Sequence, residues 1–234
     1  MSDNKLLYYI IAFISLLALV SFILSPFFHI RYIEIYGLNI LTRVELEEDL
    51  VSYYETNLFF LNKNKIKESL LTNPYIMDIE IRKSYPDTLW IYVKERDPVA
   101  RIINNERYIL FSNDGFILEN NSLISRVRVP EIKGVGYSFQ NEYVEFTPVL
   151  EKIVQALEGI TMKSRGKIDF IVYQREKDNL LAYSDKTIIY FGQPHGLVEK
   201  FRLLESILNK VQEEGLAVEY IDLKIINKPV VKLE

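Results

Sequence analysis

The sequence predicts an α+β protein carried on an N-terminal transmembrane helix. A small β-α-α-β-β module follows the helix, and then a mixed β domain with flanking helices. Three observations predict this. Residues 6–24 form an uncharged apolar run near the N-terminus. Beyond it, segments that alternate apolar and polar residues, the period of a half-buried strand, are interspersed with segments whose apolar residues step by three and four, the period of a helix. Turn formers, among them Gly37, Asn73-Pro74 and Asn113-Asp114-Gly115, punctuate these segments.

Length and composition bound the rest. A chain of 234 residues suits one or two domains, and 49% hydrophobic against 26% charged residues permits a packed core and excludes global disorder. The net charge is −4 and stays −4 when residues 1–29 are set aside, because their only charges are Asp3 and Lys5. Nothing in this balance looks like a nucleic-acid footprint, which calls for a basic face. The absence of cysteine excludes disulfides, thiolate catalysis and Cys-ligated zinc. The two histidines, His29 and His195, lie far apart, and no carboxylate cluster with ligand spacing accompanies either.

At helical rise, residues 6–24 (LLYYIIAFISLLALVSFIL) reach roughly 28 Å, close to the ~30 Å hydrocarbon core of a bilayer. Leu6, Tyr9, Ile14, Leu19 and Leu24 mark this anchor from end to end. Tyr8 and Tyr9 at one end, and Phe27, Phe28 and His29 past the other, suit an interfacial belt. Pro26 ends the helix. A cleaved signal peptide or a buried core helix is the alternative, but a signal h-region is shorter, about 7–15 residues, and no small-x-small cleavage site follows. Charge does not orient the anchor: Lys5 and the α-amine face Asp3 on one side, and Arg31 lies beyond the other. The expected division is a tail at 1–5, a transmembrane helix at 6–25, a first module at 28–97 and a β domain at 98–234.

In the first module, residues 29–36 (HIRYIEIY) alternate as a strand that Gly37 breaks. Thr42 and Glu45 form a capping-box pattern opening a helix through Val44, Leu46 and Leu50. Asn62 is an N-cap for a second helix carrying Ile66, Leu70 and Leu71, which stops at Asn73-Pro74. Residues 76–83 and 89–94 alternate around Tyr85-Pro86-Asp87 and read as a hairpin. Two helices on one face of this small sheet would bury its apolar side. In the β domain, residues 107–111 and 116–118 flank a hairpin turn. A helix is expected at 148–157, three consecutive strands at 168–173, 180–183 and 187–191, and a long helix at 196–214 ended by Gly215. Strands at 220–224 and 230–233 finish the chain.

Nothing in the pattern supplies catalysis. His195, in Gly192-Gln-Pro-His-Gly196, reads as a helix-entry residue, since no nucleophile motif accompanies it. Gly134-Val-Gly136 is too short for a phosphate loop and reads as a turn. Asp78, Glu80 and Glu95 could pair as carboxylates, but on alternating strands they read as a solvated face. Asp97-Pro98 reads as the junction between modules. The 16 tyrosines read as sheet formers before they read as a binding surface.

Residues 73–100 (NPYIMDIEIRKSYPDTLWIYVKERDPVA) closely resemble the end of a POTRA domain of the FtsQ/DivIB cell-division family. Pro86, Thr88, Leu89, Ile91, Val93, Glu95, Arg96, Pro98, Val99 and Ala100 match its pattern, while Lys83 occupies the basic position beside Arg82. Gly37-Leu38-Asn39 and Asn57-Leu58-Phe59 are similar to further family elements, although Glu55-Thr56 stands where a glycine usually precedes that asparagine. Downstream, Asp114-Gly115 shortens a family D-x-x-G, Val129-Pro130-Glu131-Ile132 resembles V-P-x-I, and residues 220–224 resemble a closing I-D-L-R with Lys224 for the arginine.

The resemblance implies a scaffold of the bacterial divisome that is not an enzyme and needs no cofactor, metal or small-molecule substrate. It implies a single pass through the cytoplasmic membrane, with the short N-terminus inside, the domains outside and enrichment at the division septum. The implied partners are the lipid bilayer, FtsB/DivIC-like and FtsL-like bitopic division proteins and further divisome components. It also implies where partners dock: the last strand and the preceding long helix. The corresponding residues are Ile225, Val230, Val231, Lys232 and Leu233 on and before the strand, and Lys200, Phe201 and Leu204 on the helix. Unpaired backbone groups at a sheet edge accept another chain's strand. In the other direction, the strand merely closes the fold, with Lys232 guarding its edge. Two further classes stay open: a POTRA-bearing transport or assembly factor, which usually needs repeated units or a barrel, and a membrane-anchored hydrolase, which would need a nucleophile–base pair.

Overall fold

A computed structural model of the chain describes residues 3–121 and 125–234. It divides into two compact units, Met1–Glu95 and Arg96–Glu234.

The first unit opens with helix α1, Asp3–Leu24, whose apolar side chains are exposed along nearly its whole length. From Lys5 to Leu24 it is long and apolar enough to cross a membrane. A single 3-10 turn, Pro26–Phe28, ends it. Strand β1 (Tyr32–Tyr36), helices α2 (Arg43–Leu50) and α3 (Lys63–Leu70), and strands β2 (Ile76–Ser84) and β3 (Thr88–Glu95) follow. The sheet order is β1-β3-β2, with β1 parallel to β3 across the helical crossover and β2 antiparallel to β3. Alternation places Ile79, Ile81, Leu89, Ile91 and Val93 in the core with Ile33, together with Leu46 and Leu50 of α2 and Ile66 and Leu70 of α3.

Both helix starts form as their caps dictate. The Thr42–Glu45 capping box is complete, with Thr42 N–H donating to Glu45 Oε2 at 2.7 Å. Asn62 Oδ1 accepts from Asn64 N–H at 3.0 Å. The first strand starts at Tyr32, three residues later than the alternation predicts. Residues 28–30 bond outside the sheet instead: Ile30 N–H donates to Thr56 C=O, Leu58 N–H donates to Phe28 C=O, and His29 bridges Asn57.

The second unit contains β4 (Pro98–Asn104), β5 (Arg107–Ser112), β6 (Ile117–Asn121), β7 (Glu131–Lys133), β8 (Tyr137–Gln140), β9 (Tyr143–Phe146), α4 (Pro148–Glu158), α5 (Met162–Arg165), β10 (Phe170–Gln174), β11 (Asn179–Ser184), β12 (Thr187–Gly192), α6 (Leu197–Glu214), β13 (Val218–Asp222) and β14 (Val230–Leu233). Nine strands form one sheet in the order β14-β13-β12-β11-β10-β7-β4-β5-β6, and β8-β9 form a separate hairpin. The core joins Ile153, Val154 and Leu157 of α4 and Leu197, Phe201 and Leu204 of α6 to strand residues such as Ile102, Ile171 and Ile189. Phe201 stacks on Phe191 at 4.5 Å, which fixes α6 against β12.

Besides the short strand β7, three features go beyond the sequence expectation. Pro98 begins a full strand, β4, where a junction is expected, and Asn105 and Glu106, both at positive φ, turn it into β5. The segment after Gly136 continues into the β8–β9 hairpin. A one-turn helix, α5, follows Thr161.

The residues that carry the family pattern at 95–100 have structural employment. Glu95 Oε2 accepts from the N–H groups of Asn39 (3.1 Å) and Ile40 (2.8 Å), and its Oε1 from Leu41 (2.9 Å), so one carboxylate holds the β1–α2 loop. The Arg96 guanidinium lies over the Phe116 ring at 3.8 Å. Asp97 pairs with the buried Arg165 of α5 at 2.7 Å, and Arg165 also donates to Pro98 C=O. Val99 and Ala100 are wholly buried.

Candidate partner-docking edge

Among the described residues, strand β14 lies at one end of the nine-stranded sheet and pairs only with β13, antiparallel, Val231 opposite Ile221 and Leu233 opposite Val218. Glu234 N–H donates to Ala217 C=O at 3.1 Å. Backbone groups alternate in direction along an antiparallel strand. The N–H and C=O groups of Val231 and Leu233 therefore face away from β13, along an open edge. Pro229 falls on the same outward phase, where its missing N–H costs the sheet nothing. At the opposite end of the sheet, β6 is partly covered: Ile117 N–H donates to Glu142 C=O, and Phe116 bridges Tyr143.

The side chains sort by face. Val231 and Leu233 point to the helix side, above a groove of about 370 Å³ that they line with Leu203, Ile207 and Val211 of α6 and with Leu216. The Lys210–Glu214 pair, 3.8 Å apart, also lines it. Val230 and Lys232 point to the other face. There the Lys232 amine meets Glu219 Oε2 at 2.6 Å and lies over the Tyr220 ring at 5.8 Å. Its hydrogen bond to the Glu219 carboxylate holds the Lys232 amine above its ordinary pKa. The β13 bulge between Val218 and Tyr220 is what lets Glu219 reach it.

The strand residues singled out from sequence are therefore at the surface: Val230, Val231 and Leu233 are 50%, 38% and 49% exposed, and Ile225, in the turn before β14, is exposed as well. The helix residues singled out are not. Lys200, Phe201 and Leu204 lie on the stripe of α6 that packs on the sheet, with 4%, 0% and 0% exposure. Lys200 Nζ donates to Phe191 C=O at 2.7 Å, and burial pushes its pKa down. The face of α6 that borders the groove is the adjacent stripe, Leu203, Ile207 and Val211, half-buried and spaced by four. Its signal is in the sequence: Leu203-Leu204 and Ile207-Leu208 are apolar doublets, giving an arc wider than one packing face requires.

The other candidate positions resolve simply. His195 sits in the turn before α6, beside Pro194 and Gly196. Asp78 and Glu80 lie on the exposed face of β2, paired with Lys67 and Arg82, whose hydrogen bonds hold both carboxyls below the usual range. Among the described residues, no three His, Asp or Glu side chains gather as metal ligands. The anchor positions Leu6, Tyr9, Ile14, Leu19 and Leu24 are all exposed on α1.

Comparison with known proteins places these modules among relatives. Residues 28–96 match the family described as POTRA domain, FtsQ-type. The cell division protein DivIB of Clostridium tetani is 26% identical over 211 residues, 88% of this chain and 80% of that protein. The DivIB of Clostridium acetobutylicum is 26% identical over 89% of this chain and 84% of its own length. The cell division protein FtsQ of Coxiella burnetii is 23% identical over 78% and 71%. Among solved structures, the major extracytoplasmic domain of DivIB from Geobacillus stearothermophilus aligns at 13% identity over 51% of this chain and 97% of that one, with a TM-score of 0.36, too slight a likeness to bear on the fold.

Proposed function

From a chain that carries an FtsQ-type POTRA domain and is related to DivIB and FtsQ cell division proteins over most of its length, we propose that it is a single-pass membrane scaffold of the bacterial divisome. Its domains lie outside the cytoplasmic membrane, and its work is binding. Strand β14 receives a strand from a bitopic division partner of the FtsB/DivIC or FtsL kind, and the partner's alternate side chains enter the α6 groove. By holding such partners together at the septum it influences cell-wall synthesis there. Anchoring on α1 confines scaffold and partner to one surface and raises their effective concentration.

The observation that supports this reading is the joint geometry of β14: an unpaired backbone edge bordering an apolar groove. The side chains of β14 are exposed, which leaves them free to meet a partner. Lys232 is drawn to the far face by Glu219 and leaves the edge itself unguarded.

The test is a fluorescent fusion at the N-terminus, followed in growing cells, for the parent chain and for Val231→Glu/Leu233→Glu. The parent is expected as a band at the division site before constriction ends, with the bitopic partners present in the band. The double variant is expected to reach the site and fail to hold those partners. A uniform envelope signal from the parent chain overturns the reading in favour of envelope transport or assembly.

A further inference from the structure

The anchor helix leaves its apolar run into a continuous set of aromatic contacts. Phe22, in the last turn of α1, packs on Phe27 (5.7 Å between ring centroids) and on Phe28 (5.1 Å). Phe28 packs on Phe59 (4.8 Å), and Phe59 on Tyr85 (4.7 Å). Asn57 Nδ2 donates to Ile23 C=O at 2.7 Å, capping the end of α1 from the loop that carries Phe59 and Phe60. Only Phe28 is buried. Phe27, Phe59, Phe60 and Tyr85 are exposed, Phe60 to 66%.

Solvent-facing aromatic rings in such number need an apolar or interfacial neighbour. The dimensions say which. The 20 residues from Lys5 to Leu24 rise about 30 Å, the thickness of the hydrocarbon core. Leu24 then stands at the core's edge, and side chains packed on Phe22 stand in the headgroup region, where aromatic rings concentrate. Two cations border the set: Lys83 Nζ donates to Phe59 C=O at 3.0 Å, and Lys63 donates to Ile81 C=O at 3.3 Å. Burial and then the charge of Lys63 push the Lys83 pKa down, a strain that an anionic headgroup relieves.

We infer that the first module lies directly on the bilayer through Phe27, Phe59, Phe60 and Tyr85, with Lys63 and Lys83 over phospholipid headgroups. This rests on the membrane-anchor reading above and adds a second contact with the same lipid. The module is thus seated on the membrane at two points, which restricts its swing about the end of α1.

The chain has no cysteine, so single-cysteine labelling is clean. Phe60→Cys, Ile14→Cys and Val44→Cys, each in the full chain, are labelled with a nitroxide and reconstituted into phosphatidylcholine–phosphatidylglycerol vesicles. Collision rates with oxygen, which partitions into lipid, and with a water-soluble nickel complex are read by power saturation. Ile14 is the reference for the span, and Val44, 74% exposed on α2, is the reference for water. The inference expects an oxygen-to-nickel ratio at Phe60 several-fold above that at Val44 and below that at Ile14. A ratio at Phe60 equal to that at Val44, with Ile14 in hydrocarbon, overturns it while leaving the anchor intact, and assigns the aromatic set to a protein neighbour. A water-like ratio at Ile14 removes the anchor and this inference together.

Discussion

Glu95 serves three backbone N–H groups with one carboxylate and so replaces the sheet partners that residues 39–41 lack. A charged acceptor bonded to several amides makes strong hydrogen bonds, and losing it strands partly buried donors. Glu95→Ala is expected to destabilise the first unit by about 3 kcal/mol. Trp90, the single tryptophan and a residue of β3, reports that unit's urea transition in isolation from the second. An unchanged midpoint would show that solvent substitutes for the carboxylate. Glu205 plays the same role in the second unit, where its Oε1 accepts from Thr161 N–H at 3.0 Å and from the Thr161 hydroxyl at 2.6 Å. Burial pushes its pKa up, but the hydroxyl and amide of Thr161 and the hydroxyl of Ser164 outweigh burial and hold the carboxyl below its ordinary value. A depressed folded pKa contributes stability above the unfolded value, about 4.3 for glutamate, which is lost as pH falls through the folded value. Glu205→Gln is therefore expected to be less stable than the parent at pH 7, by about 1 kcal/mol, and to converge with it as thermal unfolding is followed down to pH 3. Parallel curves at all pH values would show that the carboxyl does no work as an anion.

The glycines that end elements separate two effects. Gly37 closes β1 at φ +87°, and a Cβ there would stand 2.1 Å from Val93 C=O. Gly215 ends α6 at φ +65°, with nothing within 4 Å of such a Cβ. Gly215→Ala should cost only the left-handed backbone, about 1 kcal/mol. Gly37→Ala must also push strand β3 aside, and a loss of at least twice that is expected from paired denaturation curves; equal losses would mean that β3 yields freely. Much at this scale was legible beforehand. Caps at Thr42 and Asn62, the strand alternation of 76–83 and 89–94, and the periodicity of α6 are local, and the local signal sufficed. Strand β4 was not legible, because Asp97-Pro98 looks like a break and its partners β5 and β7 are set by the tertiary fold. The β8–β9 hairpin is short and mostly exposed, so it lacks a hydrophobic pattern to announce it. At the candidate edge, the exposed residues of β14 were legible from the alternation of 230–233. The helix residues named from sequence lie on the packed stripe, because periodicity finds the packed face of a helix before the face beside it.

For the molecule as a whole, stability separates a β14 that belongs to the fold from one that serves the proposed partner. All four residues of β14 are exposed, and none is among the core residues of the second unit. The strand it covers, β13, buries Val218 and Ile221 against the core, and pairs with β12 on its other side. Ending the chain after Lys224 therefore removes a ladder and the half-exposed side chains of Val230, Val231 and Leu233, but none of the core residues. The second unit is expected to keep a single cooperative thermal transition, lowered by a few degrees, while capture of the proposed bitopic partners from reconstituted membranes is lost. Val231→Glu/Leu233→Glu in the full-length chain should reproduce the loss of capture with a smaller thermal shift, since the ladder stays and both side chains are already 38% and 49% exposed. If truncation instead abolishes the transition, β14 is a structural strand, and the apolar groove of α6 is then left without the neighbouring edge on which strand addition depends.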